Sequence, residues 1–93
     1  CSAYRIEQQI REKLGIDEVM VSVCRDGDRE YLAAYYERRP KELSVPQMKE
    51  VLRNSLSQQE IPKRFIRIEK LPRTDSGKLI RRQSILQSKI GYN

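Results

Sequence analysis

The chain contains no histidine, and its only two cysteines, Cys1 and Cys24, do not form a metal-ligand spacing. These absences exclude the usual zinc sites, Ser-His and Cys-His nucleophile pairs, and imidazole acid–base chemistry. A structural disulfide is not expected in a cytosolic protein. Cys24 lies in an apolar alternation and reads as a small core residue. No stretch approaches the roughly 18 apolar residues of a membrane-spanning helix. The opening residues CSAYRIEQQ lack the basic and apolar regions of a signal peptide. The expectation is a cytoplasmic protein without a membrane partner. Internal repeats and low-complexity tracts are also lacking.

With 93 residues, the chain is long enough for one domain (1–93) with a modest core, but not for a core plus a deep, self-contained cleft. Hydrophobic residues make up 38% and charged residues 34%, the balance of a soluble globular chain. The net charge of +6, from 19 basic and 13 acidic residues, fits an anionic partner: nucleic acid, nucleotide, phosphopantetheine or an acidic protein face. A plain solvated basic surface fits the same number.

Hydrophobic periodicity divides the chain into elements. Ile6, Ile10 and Leu14 repeat at i, i+4, i+8, one apolar stripe on a helix over residues 4–14, with Gly15 as its stop. Val19, Val21 and Val23 then alternate with Met20, Ser22 and Cys24, the period of a strand. The turn RDGD and the alternating EYLAAYY complete a β-hairpin over residues 18–36. Ser44, Pro46 and Gln47 have the spacing of a helix start with a capping box. Met48, Val51, Leu52 and Leu56 form that helix's buried stripe. Pro62 enforces an extended segment, and RFIRIEKL reads as a third strand with Phe65 set apart from Ile66 and Ile68. After the polar loop PRTDSGK, residues 80–90 read as a last helix carrying Ile85, Leu86 and Ile90. The order predicts an α+β domain: a small three-stranded, mainly antiparallel sheet with helices packed on one face.

Chemistry concentrates in LPRTDSGKLIRR, residues 71–82. Pro72 stiffens the start of the loop, while Thr74, Asp75 and Ser76 bend the backbone through local hydrogen bonds. Gly77 permits an unusual φ or a close approach. Lys78 follows, a point charge with three donors on a flexible stem. A lysine presented from a glycine turn suits a phosphate or a developing oxyanion. It is not the lysine of a phosphate-binding P-loop. That motif needs glycine where Pro72 stands and Ser or Thr where Leu79 stands.

The succession IPKRF, IRIEKLP, RTDSGK and LIRR resembles the C-terminal subdomain of the adenylate-forming superfamily: acyl-CoA synthetases, nonribosomal peptide synthetase adenylation domains and luciferases. Those proteins share a closing motif, Leu-Pro-x-Thr-x-x-Gly-Lys-x-x-Arg-Arg, matched by Leu71, Pro72, Thr74, Gly77, Lys78, Arg81 and Arg82. YRIEQQI, EYLAAYY and ELSVPQMKEVLRNSL resemble the subdomain's first helix, hairpin strand and next helix, so the likeness covers about residues 4–88. The chain departs from the family in SQQE before Ile61 and Pro62. It also begins with CSA, where the family's hinge residue and glycine-bearing loop should precede the first helix.

The resemblance implies a mobile lid that supplies a catalytic lysine, Lys78, to an N-terminal adenylation domain holding ATP, Mg2+ and a carboxylic acid. Thr74, Ser76 and Gly77 would form the loop presenting it. After rotation the lid would offer another face to CoA or to a carrier-protein pantetheine, with Lys63, Arg64, Arg81 and Arg82 as candidate contacts. This polypeptide alone is expected to be inactive. Between acceptors, AAYY followed by ELSV leans toward the peptide-synthetase type, while RTDSGKL is equally at home in acyl-CoA synthetases. The alternative of another class is a small basic nucleic-acid-binding module, which would need Tyr31, Tyr35 and Tyr36 as stacking surfaces.

Overall fold

A computed structural model describes residues 2–82 together with Ile85 and Leu86. Helix α1 spans Ala3–Leu14, strand β1 Val19–Asp26, strand β2 Arg29–Tyr36, helix α2 Val45–Leu52 and strand β3 Arg64–Arg67, with a single 3-10 turn at Gln58–Glu60. The sheet order is β1-β2-β3. β1 and β2 form an antiparallel hairpin of eight residue pairs, from Val19↔Tyr36 to Asp26↔Arg29. β3 joins the other edge of β2 in parallel over four pairs, Ala33↔Arg64 to Tyr36↔Arg67. The sheet is therefore mainly antiparallel. Its parallel strand needs a crossover, and the segment carrying α2 supplies it.

The apolar stripe of α1 packs as its spacing requires. Ile6, Ile10 and Leu14 are buried with Val19, Val21, Ala34 and Tyr36 of the sheet and with Met48, Leu52 and Leu56 of the α2 segment. Gly15 closes α1 by donating its N–H to the Arg11 carbonyl at 3.1 Å. α2 stops at Leu52, short of the predicted Leu56. The N–H groups of Asn54 and Ser55 bond three residues back, tightening the chain into turns. Leu56 still reaches the core from there.

Helices on one face only is an expectation the structure corrects. The opposite face of the sheet is also buried, under Leu71 and Leu86, which pack with Met20, Cys24, Ala33, Tyr35 and Ile68. Strand alternation sends Phe65 to the helix side and Ile66 to this second side. The predicted last helix does not begin at Ile80, because the Ile80 N–H bonds the Pro72 carbonyl at 2.9 Å in extended pairing. Ile85 and Leu86 are helical, with both N–H groups on the Arg82 carbonyl, and the rest of that helix lies outside the described residues.

The capping box at Ser44 is formed. Ser44 Oγ accepts from the Gln47 N–H at 3.3 Å, and Gln47 Oε1 accepts from the Ser44 N–H at 2.8 Å. Ser44→Ala is expected to destabilise the domain by about 1 kcal/mol in denaturant unfolding. A second box, which the sequence pattern did not single out, starts the 3-10 turn. Glu60 accepts the Ser57 N–H at 3.0 Å and pairs with Arg5 at 2.7 Å. The backbone hydrogen bond from Ser57, more than Arg5, holds the Glu60 carboxyl below its ordinary value of 4.5. This favours the charged form in the fold. Its contribution is present above the unfolded pKa and fades as pH falls through the lower folded value. An NMR titration should place the Glu60 midpoint below 4.5. A midpoint at or above that value would mean the cap is not formed in solution.

Candidate functional site

Residues 72–80 form a small projecting hairpin. Arg73 and Leu79 pair as an antiparallel bridge, and the Thr74 N–H donates to the Lys78 carbonyl at 2.8 Å. Inside this frame the Gly77 N–H reaches the Thr74 carbonyl at 2.9 Å, closing a four-residue turn. Gly77 itself has φ 93°, the positive φ that lets a hairpin absorb one extra residue as a bulge. A Cβ there would meet nothing within 4 Å, so the need for glycine is conformational, not spatial.

The side chains the sequence marks as loop builders act locally. Thr74 Oγ1 accepts the Lys78 N–H at 3.1 Å and lies 3.0 Å from Ser76 Oγ. Arg73 donates to the Gly77 carbonyl at 3.3 Å and pairs with Glu18 at 2.5 Å, fastening one foot of the hairpin near the start of β1. Leu79 turns inward against the second core cluster, so alternation turns the preceding Lys78 outward. Lys78 is exposed. Among the described residues no carboxylate or carbonyl partners its ammonium group. Hollows of about 590 and 390 Å³ open elsewhere on the surface, and Lys78 lines neither. The chain thus displays a cation on a stiff turn without building a pocket around it.

No family model matches the chain. Two curated proteins are similar in sequence. Malpibaldin synthetase of Mortierella alpina is 35% identical over 77 residues, covering 83% of this chain and 1% of that protein. A linear gramicidin synthase of Brevibacillus parabrevis is 34% identical over 85 residues, covering 85% of this chain and 2% of that protein. Among solved structures, the fatty acyl CoA synthetase of Mycobacterium tuberculosis superposes with a TM-score of 0.75 at 30% identity, over 89% of this chain and 16% of that one. The chain belongs to the C-terminal subdomain of the adenylate-forming superfamily.

In this subdomain the closing motif is the hairpin just described, and Thr74, Ser76, Gly77 and Lys78 are brought together by it. The remaining candidates are dispersed. Lys63 precedes β3, with its ammonium 5.6 Å from the centre of the Tyr31 ring. It lines the smaller hollow with Lys49 and Arg53. Arg64 is exposed at the start of β3, opposite Ala33. That end of β3 lies roughly 10 Å along the strand from Arg67, after which the chain turns toward the hairpin. Arg82 offers its carbonyl to Ile85 and Leu86. Arg81, its side chain 41% exposed, forks onto the buried Glu7, with Nη2 to Oε1 at 2.6 Å and Nε to Oε2 at 3.0 Å.

Glu7 is the residue that sequence reasoning missed. It follows Ile6 and precedes Ile10 by three, on the flank of the α1 stripe, where a charge ordinarily marks the solvated boundary of a helix. Of the three tyrosines of β2, Tyr35 and Tyr36 are core residues buried on opposite faces of the sheet, and Tyr31 is half-buried. Among the described residues no group of His, Cys, Asp and Glu side chains could hold a metal ion, and no helix is long and apolar enough to cross a membrane.

Proposed function

We propose that this domain is the mobile lid of an ATP-dependent, carboxylic-acid-activating ligase, and that Lys78 is its catalytic residue for acyl-adenylate formation. The observation that carries the reading is the presentation of Lys78: exposed, unpaired among the described residues and held at the tip of a hydrogen-bonded hairpin. Such a cation has work to do only against an opposing surface, here an N-terminal adenylation domain holding ATP and the acid. A carboxylate oxygen attacks the α-phosphorus, the bond to pyrophosphate breaks, and pyrophosphate leaves. Two anions must approach for this to occur. A fixed ammonium lowers their repulsion and stabilises the charge of the transition state. Mg2+ would be held with the ATP by the adenylation domain.

After rotation, the lid would present another face to a carrier-protein pantetheine, whose sulfur takes the acyl group as AMP departs. The curated relatives favour this acceptor. The likeness to a fatty acyl CoA synthetase keeps CoA as the alternative, and the basic surface serves either donor. Thr74, Ser76 and Gly77 hold the lysine, while Lys63, Arg64, Arg81 and Arg82 are candidate contacts of the thiol donor. A cytoplasmic location fits ATP and thiol chemistry of this kind, and alone the lid would adenylate nothing. The test is ATP–pyrophosphate exchange by the full-length protein with a panel of amino, fatty and aryl acids, repeated with Lys78→Ala. Exchange unchanged by the substitution would overturn the assignment, and the accepted acid would identify the substrate class.

A further inference from the structure

Glu7 is fully buried, yet it is a carboxylate and no step of the proposed chemistry uses it. Carboxylates stay out of water only where charge and hydrogen bonds replace hydration. Three donors do so here. The Val21 N–H reaches Oε2 at 2.8 Å, and the Arg81 guanidinium covers both oxygens at 3.0 and 2.6 Å. β1 is an edge strand, so the Val21 N–H would otherwise have no ladder partner on that side. One side chain therefore ties helix α1, the sheet edge and the C-terminal foot of the Lys78 hairpin.

The connection from that foot to the lysine is short and stiff. Arg81 is three residues past Lys78, and Leu79 and Ile80 between them are paired with Arg73 and Pro72. Turning the Glu7–Arg81 fork would turn the hairpin. The other foot is held by the Arg73–Glu18 pair, with side chains 29% and 45% exposed. In the Arg81–Glu7 pair the guanidinium is 41% exposed and the carboxylate only 1%. Its acceptor end is out of water, as Glu18 is not, so it is the less screened of the two anchors.

We propose that Glu7 is the positioning residue for Lys78: its fork to Arg81 sets the direction in which the hairpin leaves the body, and so the point where the ammonium meets the substrate. This inference rests on the reading of Lys78 as the adenylation lysine. Glu7→Gln keeps the size and an acceptor for Val21 but loses the charged fork. In the full-length protein it should lower kcat for adenylation about tenfold, since misplacement by about an ångström costs up to roughly a hundredfold and the lysine stem is flexible. KM for ATP and acid should stay within about twofold, because the altered contact touches neither.

The decisive readout is a double-mutant cycle with Lys78→Ala. If Glu7 acts through Lys78, Glu7→Gln has no further effect in the Lys78→Ala background. An equal loss in both backgrounds would mean a merely structural role and would overturn the proposal. Arg81→Lys, which keeps the charge but not the bidentate fork, should show the same non-additivity. It also stands in if Glu7→Gln does not fold, and full kcat in Arg81→Lys would then sink the proposal. The two readings fail separately. Lys78→Ala without effect removes the adenylation role, whereas a large Lys78→Ala effect beside unchanged kcat in Glu7→Gln and Arg81→Lys removes only the positioning role.

Discussion

Lys78→Ala in the full-length protein is expected to slow ATP–pyrophosphate exchange by about 100- to 1,000-fold, or about 3–4 kcal/mol of transition-state stabilisation. The size follows from where the charge acts. On the free lid the ammonium is solvated and worth little, but between two anions in a site closed to water its field is screened far less. The loss stops short of complete inactivation because the acid and ATP remain bound and aligned by the other domain. Lys78→Arg should recover only part of the rate. The guanidinium keeps the charge but spreads it over a planar fork, and the hairpin is built to deliver a compact donor. The fold should be indifferent to both changes, since Lys78 is exposed and its hydrogen bonds within the hairpin are made by its backbone. Thioester formation from preformed acyl-adenylate should remain within a few-fold of the unsubstituted rate, because the lysine is assigned to the first step only. Equal losses in both half-reactions would point instead to a general failure of the lid to dock.

Much of this architecture is legible locally, and the exceptions have a common cause. The α1 stripe, the β1–β2 hairpin, the Ser44 cap and the outward Lys78 each depend on residues within a few positions of one another, so periodicity and turn chemistry reveal them. The parallel docking of β3 depends on which strand edge is free after the α2 crossover, which no local pattern encodes. The second core is hidden for a similar reason. Met20, Ala33 and Tyr35 occupy the alternate positions of a hairpin that reads as one-sided. Their cover, Leu71 and Leu86, comes from distant segments, and no local pattern says which face of the sheet those segments lie on. Glu7 and Arg81 each look like surface charges, and their meaning appears only when the fold places them 2.6 Å apart across 74 positions of sequence. The Lys78 loop itself is readable by composition. What fixes its direction is not.

Tyr35→Ala should be the most damaging single truncation in this fold, lowering the unfolding free energy of the 93-residue chain by about 3–5 kcal/mol in chemical denaturation. Tyr35 is fully buried at the middle of the second face, among Met20, Cys24, Ile68, Leu71 and Leu86. Removing its ring leaves a cavity between the sheet and the segment that leads into the Lys78 hairpin. Domains of this kind are held by only about 5–15 kcal/mol, so the loss should show as a large drop in the midpoint. Tyr35→Phe keeps the ring and loses a hydroxyl that lies 3.6 Å from the Cys24 sulfur, a change worth about 1 kcal/mol. Tyr31→Ala should fall well below Tyr35→Ala, because Tyr31 is only half-buried beside Lys63. This ranking separates a core tyrosine from a displayed one. A sheet that stacked bases would have to expose Tyr35, and its truncation would then weaken binding while leaving stability nearly intact. A loss under about 1 kcal/mol for Tyr35→Ala would mean that Leu71 and Leu86 close over the vacancy. The second face would then be a loose cover, and the hairpin base a poor platform for a lysine that has to arrive in one place.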